Sequence, residues 1–492
     1  MAGYVLGVDQ STQGTKALLF DEAGKLLHRA DLPHRQIIDE KGWVEHDPEE
    51  IYRNTIGVIR LLVEQSGIDR EKIRVLGISN QRETALAWDR ATGQPVYNAV
   101  VWQCARGAAI CDEIRKQGNA GIIRSRTGLP LSPYFSAAKL AWVLRHAEGA
   151  QARADRGELC CGTVDSWLVY RLTGKKEFRT DYSNASRTQL FNIRTLSWDS
   201  EVCGLFGIPL ACLAEVTDSD GYYGETDLEG YLDHPIPIRG VLGDSHGALF
   251  GQGCLKKGMV KATYGTGSSI MMNIGDRPVF SDRIVTSLAW GMGGKVDYVL
   301  EGNINYTGAV ITWLKDDLRM IDSPSETEAL AGEANPLDTT YLVPAFSGLG
   351  APYWDSDAKA VLYGMTRTTG RPEIVKAGLE SIVYQITDVL TAMQEESGIS
   401  IEELRVDGGP TRNGYLMQFQ SDLAQIPVQV PSAEELSGIG AAYAAGLAAG
   451  IYQSESLFEK IERTQFIPAM TKADRDRKCR GWREAAAKAL SK

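Results

Sequence analysis

The chain has 492 residues, of which 43% are apolar, and at roughly 100–200 residues per domain this length predicts two to four domains. Its 52 Lys and Arg residues face 63 Asp and Glu residues, for a formal net charge of −11. An acidic chain without basic runs argues against nucleic acid or an anionic membrane surface as a partner.

The apolar segments are too short for targeting or membrane insertion. The apolar stretch at the N-terminus ends at Asp9, which is too early for a signal peptide. The least polar segment, residues 439–452, is shorter than the ~20 residues that a membrane span needs. Eight scattered cysteines without a C-x-x-C pair predict reduced thiols in the cytoplasm and no zinc site.

The first part of the chain alternates apolar strands with amphipathic helices. Residues 4–9 and 16–21 are predicted strands around a turn at residues 11–15. Asp47, followed by Pro and two Glu, predicts a helix start, and residues 74–79 predict another buried strand. This alternation predicts an α/β fold.

Near the middle of the chain the pattern starts again. Residues 260–264 and 270–273 are predicted strands around a second turn at 265–269, which indicates a weak internal duplication with a boundary near residues 245–255. Later segments predict a long helix at 373–393, a strand at 404–407 and a helix at 413–423. A Gly/Ala-rich helix at 437–450 lacks bulk, which permits close packing.

Common catalytic motifs of P-loop, Rossmann, serine-hydrolase and zincin enzymes are absent from the sequence. The two turns, one in each half, are instead rich in Gly, Thr and Ser, and such turns expose N–H groups and hydroxyls that cradle phosphate oxygens. Two ordinary hairpin turns would have the same spacing, so both interpretations stay open at this point.

Polar residues follow several predicted strands. Asp9 and Asp244 stand at strand ends, where open α/β sheets bind ligands and where a carboxylate holds Mg²⁺ or accepts a proton; each also fits a helix or turn cap. The run Asn80-Gln81-Arg82-Glu83 interleaves donors and acceptors as a polyhydroxylated ligand requires, although a solvated loop has the same composition. His246 fits a ligand or acid–base group, or a buried structural histidine.

Longer segments carry a resemblance to a known family. The sequence resembles the FGGY carbohydrate kinases, and within that family it is most similar to the glycerol kinases. Residues 134–146 fit the family's first signature, and residues 360–380 fit the second except at Gly378. The other matching segments are residues 42–48 (GWVEHDP), 80–84 (NQRET), 98–104 (NAVVWQC), 162–167 (GTVDSW), 180–187 (TDYSNASR), 263–267 (TYGTG), 344–354 (PAFSGLGAPYW), 405–409 (RVDGG) and 416–422 (LMQFQSD).

The resemblance implies two actin-like, ribonuclease-H-like domains around a central cleft, at residues 1–250 on the polyol and phosphate side and 251–492 on the nucleotide side. It implies a cytoplasmic enzyme, a homo-oligomer (dimer or tetramer), that uses ATP and Mg²⁺ to phosphorylate a terminal hydroxyl of a small polyol, such as glycerol to glycerol 3-phosphate. Asp244 is then the general base. The implied contacts are Arg82, Glu83, Trp102, Tyr134, Asp244, Ser245 and Ser269 for the polyol, Thr12, Gln13, Gly14, Lys16, Thr266, Gly308, Thr312, Gly409 and Asn413 for ATP, and Asp9 for the metal.

Some positions depart from the glycerol kinases. Ser245 and His246 stand where they usually carry two glutamines, and Ser269 where they usually carry a phenylalanine against the substrate. Gln13 replaces a threonine, Lys16 an arginine and Thr312 a glutamine. The two serines imply a larger substrate pocket, so a kinase of a C4–C5 polyol or ketose (erythritol, xylitol, xylulose or ribulose type) is the alternative.

A non-catalytic ATP switch, similar to actin or to chaperones, is a further alternative from another functional class. Such a switch would need an added segment for peptide binding or polymerisation, and none is expected after residue 467. It would also leave Arg82, Glu83 and Asp244 without a reason to converge, so the sequence favours the kinase.

Overall fold

The computed structural model describes residues 3–453 and 455–491. The strands of the first half are β1 (Tyr4–Gln10), β2 (Gly14–Phe20), β3 (Leu26–Pro33), β4 (Ile37–Ile38), β5 (Val44–His46), β6 (Ile73–Asn80), β7 (Ala85–Asp89), β8 (Ala99–Val100), β9 (Leu159–Thr163), β10 (Arg179–Asp181), β11 (Phe191–Asn192), β12 (Ser197–Trp198), β13 (Glu215–Thr217), β14 (Glu225–Thr226) and β15 (Ile236–Gly243). Those of the second half are β16 (Val260–Tyr264), β17 (Ser268–Gly275), β18 (Val285–Met292), β19 (Lys295–Ile304), β20 (Tyr341–Val343), β21 (Val361–Tyr363), β22 (Leu404–Asp407), β23 (Val428–Pro431) and β24 (Arg463–Phe466).

Helices connect these strands and cover the sheets. The α-helices are α1 (Pro48–Ser66), α2 (Ala108–Lys116), α3 (Ala120–Thr127), α4 (Ser136–His146), α5 (Ala150–Asp155), α6 (Val164–Leu172), α7 (Tyr182–Ala185), α8 (Ser200–Phe206), α9 (Asp244–Gly251), α10 (Gly308–Thr312), α11 (Glu326–Glu333), α12 (Arg371–Ser397), α13 (Gly414–Ala424), α14 (Leu436–Ala448) and α15 (Lys472–Ala489). Short 3₁₀ turns lie at Arg70–Lys72, Leu210–Cys212, Gly409–Arg412 and Glu455–Lys460, and α10 continues as a π-turn at Trp313–Asp317. Among the described residues, no helix has both the length and the apolar character to cross a membrane.

The two halves share one sheet arrangement. The first sheet has the order β14-β15-β6-β1-β2-β3, and the second has the order β18-β19-β17-β16-β22-β23-β24. In the first sheet, β1 pairs antiparallel with β2 and parallel with β6, and β6 pairs parallel with β15. In the second sheet, β16 pairs antiparallel with β17 and parallel with β22, and β22 pairs parallel with β23. The α/β class and the internal duplication predicted from the sequence are confirmed by this topology.

The predicted elements are present, with shifted ends. Helix α1 is capped as predicted, because the Asp47 side chain accepts a hydrogen bond from the backbone N–H of Glu49 at 2.9 Å. The turn predicted at residues 11–15 is shorter, because Gly14 and Thr15 already pair with Pro33 and Leu32 of β3. The second turn is shortened in the same way, since Ser268 and Ser269 pair with β16 and β19.

Helix α14 belongs to the second half of the chain but packs on the sheet of the first half. A Cβ atom at Gly77 of β6 would lie 2.3 Å from the carbonyl oxygen of Ala441, and one at Gly240 of β15 would lie 2.5 Å from the same atom. Glycine is therefore required at both strand positions, and within α14 a Cβ atom at Gly440 would lie 1.9 Å from the carbonyl oxygen of Gly247 in α9, so close backbone packing requires glycine there too. This packing places the start of α14 beside Asp9, because Gly438 faces the Cβ atom of Asp9.

Candidate active site

The candidate site lies where the parallel strands of the first sheet end. Strands β1, β6 and β15 are neighbours, so Asp9, Asn80 and Gly243 come to one edge of the sheet, the usual place for ligands in such folds. Asp244 follows as the first residue of α9, and its side chain is 37% exposed. A carboxylate this accessible at the sheet edge is open to a bound hydroxyl.

Arg82 joins Asp244 to a carboxylate from the second half of the chain. Its Nε donates to Asp244 Oδ1 at 3.1 Å. Its Nη1 and Nη2 donate to the two carboxylate oxygens of Glu301 on β19, at 3.0 and 2.9 Å. Planar guanidinium groups suit such bidentate pairing, which also fixes their orientation.

Glu83 is held by a second arginine. Its backbone takes a left-handed conformation with φ of 59°, and its side chain is 3% exposed. Nε of Arg187 donates to Glu83 Oε1 at 2.6 Å, and Arg187 Nη1 forms an ion pair with Glu301 Oε2 at 2.8 Å. Arg82, Glu83, Arg187, Asp244 and Glu301 thus form one connected set of charges, here called the charge network.

Two aromatic residues form a wall beside the turn at residues 11–13, which the sequence predicts to face the ATP phosphates. The ring centroids of Trp102 and Tyr134 lie 5.6 Å apart in an edge-to-face arrangement. The indole N–H of Trp102 donates to Thr12 Oγ1 at 2.9 Å, which ties this wall to the turn. Lys139 is buried and donates to the backbone carbonyls of residues 133–135, so it holds the loop that carries Tyr134. Burial raises the pKa of the Tyr134 hydroxyl, so that group stays a neutral hydrogen-bond donor.

The other residues that the sequence predicts to face the ATP phosphates, Gln13, Gly14 and Lys16, have mixed environments. Gln13 is exposed, and its carbonyl accepts a hydrogen bond from the N–H of His34 at 3.2 Å. A Cβ atom at Gly14 would lie 2.7 Å from the carbonyl oxygen of Leu32, so only glycine fits there. Lys16 is paired with Glu435 at 2.7 Å, so its ammonium group is held by the second half of the chain.

Asp9 is a buried carboxylate that fits a role beside a cation. Burial raises its pKa to about 6, although Ser79 donates a hydrogen bond to Oδ1 at 2.8 Å. Among the described residues no cluster of three or more His, Cys, Asp or Glu side chains is placed to hold a metal by itself. Magnesium commonly binds through one or two carboxylates, water and substrate phosphates, so Asp9 fits such an ion when a nucleotide is present.

The second half of the chain contains a cavity of about 500 Å³. Gly308, Thr312, Gly409 and Asn413 line it, together with apolar walls that include Ile311, Leu379, Ile382 and Leu416. Thr266 lies beside the cavity, because its carbonyl accepts hydrogen bonds from the N–H groups of Thr307 and Ala309. All five nucleotide-side residues predicted from the sequence are therefore neighbours here.

Backbone glycines bring this cavity close to β16. Gly408 has φ of 101°, and a Cβ atom there would lie 2.0 Å from the carbonyl oxygen of Tyr264. Gly409 has open space around its Cα atom, as a position next to a ligand requires. Asn413 caps α13 by accepting a hydrogen bond from the N–H of Leu416 at 2.9 Å.

Three positions that depart from the glycerol kinases lie beside the charge network: Ser245, His246 and Ser269. Ser245 and Ser269 are partly buried, and Ser269 Oγ donates to Glu301 at 3.3 Å. His246 is fully buried, and neither ring nitrogen has a hydrogen-bond partner among the residues that the structure describes. Burial and the nearby Arg82 hold the pKa of His246 well below its usual range, so the imidazole is neutral.

Two members of the charge network were not predicted from the sequence. Arg187 lies in a segment that matches the family but had no assigned role, and Glu301 was not singled out. A signal for Glu301 was present: a lone carboxylate within the apolar run of β19 needs a charged partner if the strand is buried. The identity of that partner, distant in sequence, required the tertiary structure.

Comparison with known proteins agrees with this geometry. The N-terminal domain model of the FGGY family of carbohydrate kinases matches residues 4–251, and its C-terminal domain model matches residues 260–449. The chain belongs to the FGGY family of carbohydrate kinases. Because it belongs to this family, the chain is an ATP-dependent kinase, which agrees with the resemblance in its sequence.

Individual relatives match along their whole length. The chain is 50% identical to glycerol kinase 1 of Thermotoga maritima, covering 99% of this chain and 100% of that protein. It is 48% identical to a glycerol kinase of Alkaliphilus oremlandii, covering 100% and 98% of the two chains. The crystal structure of Plasmodium falciparum glycerol kinase with ADP is 35% identical, has a TM-score of 0.93 and covers 100% and 99%. The expected two-domain fold around a cleft is thereby confirmed.

Proposed function

We propose that this kinase transfers the γ-phosphoryl group of ATP to a terminal hydroxyl of glycerol, giving glycerol 3-phosphate. The observation that carries the proposal is the charge network at the sheet edge, which presents Asp244 and Glu83 on the substrate side. Full-length similarity to proteins named glycerol kinase favours glycerol over a C4–C5 polyol or ketose.

In the proposed mechanism, Asp244 accepts the proton of the attacking hydroxyl. Its carboxylate is oriented by Arg82 and remains partly exposed, which suits a general base. Arg82 and Glu83 bind the substrate hydroxyls by charge-assisted hydrogen bonds, while Trp102 and Tyr134 pack on the carbon skeleton. Ser245 and Ser269 complete the walls of this pocket.

The nucleotide lies in the cavity of the second half in this proposal. Thr266, Gly308, Thr312, Gly409 and Asn413 hold it, with its phosphates directed to Thr12, Gln13, Gly14 and Lys16. A magnesium ion beside Asp9 would neutralise charge that develops on the phosphates. Since the ligands occupy opposite lips of the cleft, closure of the two halves would exclude water and suppress ATP hydrolysis.

A coupled assay of ADP formation tests the proposal. ATP consumption should depend on glycerol, and glycerol should be used better than C4–C6 polyols and ketoses. Equal ATP hydrolysis with and without every polyol would indicate an ATP switch. A preference for a longer polyol or ketose would support the larger-substrate alternative.

Three further features belong to the proposal. The division near residue 250 into a polyol-and-phosphate domain and a nucleotide domain is supported by the repeated sheet order, with α14 as an element that crosses between the halves.

A cytoplasmic location is supported by eight cysteines that all have free thiols. A homo-oligomer, dimer or tetramer, is the expected assembly, and light scattering after size exclusion would measure it.

A further inference from the structure

Glu301 is a buried carboxylate supplied to the substrate side by the opposite half of the chain. It lies in β19, between buried neighbours of the second sheet, and its side chain is 0% exposed. Arg82 and Arg187, which bind it, come from the first half. Burial of an unpaired charge costs much free energy, so the residues that pair with Glu301 indicate its role.

The geometry makes Glu301 the centre of the charge network. Both of its oxygens accept hydrogen bonds from Arg82, and Arg187 Nη1 lies 2.8 Å from Oε2. Each arginine then holds a second carboxylate with its Nε: Arg82 holds Asp244, and Arg187 holds Glu83. The orientation of both substrate-side carboxylates therefore depends on one side chain from the other half.

Charge balance predicts what happens without Glu301. Although burial by itself raises the pKa of the Glu301 carboxyl, Arg187 and Arg82 hold it well below its usual range, so the group is ionised at neutral pH. A neutral residue at this position leaves two buried guanidinium groups with Asp244 and Glu83 as their remaining partners in the network. Both arginines would turn toward these carboxylates and occupy lone pairs that a substrate hydroxyl needs.

We propose that Glu301 is a positioning residue, which fixes Arg82 and Arg187 and through them orients Asp244 and Glu83 for phosphoryl transfer. The inference rests on the proposed function. Glu301 contacts the arginines and Ser269 and has no exposed surface, so it acts through them. In this way the nucleotide-side half contributes directly to the geometry of the polyol side.

The test compares Glu301→Gln, Glu301→Asp and the control Glu380→Gln. Glu380 is also a buried carboxylate of the second half, but it does not belong to the charge network. It accepts a hydrogen bond of 2.7 Å from the Tyr415 hydroxyl. Steady-state kinetics with glycerol and MgATP varied separately, and urea unfolding, are measured on all three variants and on the wild type.

The expected result is that Glu301→Gln impairs catalysis with glycerol and leaves the KM for MgATP nearly unchanged. Glu301→Gln should lower kcat/KM for glycerol by about 10²-fold, the loss typical of a misplaced catalytic group. The KM for MgATP should stay within about twofold, because the nucleotide cavity is untouched. Glu301→Asp keeps the charge but shortens the side chain, so it should recover about tenfold of the loss and remain about tenfold below the wild type. Glu380→Gln should have a lower free energy of unfolding than the wild type but no selective loss of kcat/KM for glycerol.

Several outcomes would overturn the inference. These are an unchanged kcat/KM for glycerol in folded Glu301→Gln, an equal change in both KM values, or an Asp variant no better than the Gln variant. If Glu301→Gln does not fold, Glu301→Asp decides, and wild-type kinetics in it would refute the positioning role. Failure of the proposed function is visible separately, since the wild type would then either leave glycerol unphosphorylated or use a longer polyol or ketose better than glycerol.

Discussion

The two lips of the cleft are built on different physical principles. On the lip proposed to bind the polyol, five charged side chains are bound to one another, and four of them are almost fully buried. On the lip proposed to bind the nucleotide, glycine backbone and apolar side chains line a cavity of about 500 Å³. Fixed charges suit a small ligand recognised by its hydroxyls, whereas bare backbone and apolar walls suit a large planar one.

This difference predicts unequal sensitivity to substitution. Buried networks of charges fail strongly when one member is neutralised, because the partners are left unpaired. A cavity with many small contacts loses affinity gradually. Substitutions on the two lips should therefore differ in the size of their effects.

Asp244→Asn should have the largest effect on turnover. Amide nitrogen and oxygen accept no proton at neutral pH, so kcat should fall at least about 10²-fold, the usual scale for a lost general base. The fold should remain intact because Asp244 is partly exposed and Asn still accepts the hydrogen bond from Arg82. Steady-state kinetics and circular dichroism measure both effects, and near-wild-type turnover would remove Asp244 from the role of base.

Asp9→Asn should separate stability from activity. The pKa of Asp9 is raised from 3.8 to about 6 by burial, so the folded protein keeps a proton that the unfolded chain has released. The free energy of unfolding therefore falls by about 3 kcal/mol in total as the pH rises from about 4 to 6. Because Asn does not ionise, the ligand-free variant should be more stable than the wild type above pH 6, yet turn over more slowly.

Urea unfolding at pH 4 and pH 7.5 measures this difference for Asp9→Asn. Asp388→Asn is the matched control, because burial also raises the pKa of Asp388 to about 6 and its partners, Tyr353 and Trp482, lie outside the charge network. The control should alter the pH dependence of stability and leave kcat unchanged. A variant of Asp9 with the pH dependence of the wild type would contradict the prediction.

Asn413→Ala should have a smaller effect, confined to the nucleotide. The variant loses the cap of α13 and, in the proposed function, a contact with ATP, so KM for MgATP should rise about tenfold and stability should fall by about 1 kcal/mol. Asn413→Ser retains a capping oxygen and should restore stability but not KM. An equal rise in KM for glycerol would contradict the separation of the two lips.

The double variant Ser245→Gln plus Ser269→Phe should have the smallest effect. Added bulk narrows the polyol pocket, so the preference for glycerol over C4–C5 polyols should increase by about tenfold or less, as expected for changes in apolar contact. Ratios of kcat/KM for glycerol and erythritol measure it. An unchanged ratio would show that these serines do not border the substrate.

Local patterns predicted much of the fold. The capping residue Asp47, the alternation of strands and helices and the repeat at residue 260 all correspond to elements of the structure. Strand ends were less accurate, because pairing of Gly14 and Ser268 with neighbouring strands extends each sheet into its predicted turn. Such pairing depends on residues distant in sequence.

The family and the duplicated α/β architecture could be predicted from the sequence, because they depend on short motifs and local periodicity, whereas the assignment of ligand-binding residues to the two lips stays a prediction. Which charges meet depends on the tertiary structure. Lys16 is paired with Glu435, and Glu301 joins Arg82 to Arg187, across long separations along the chain. Burial makes the pairing of Glu301 with the two arginines obligatory, because an unpaired charge in the interior costs more free energy than any local preference supplies.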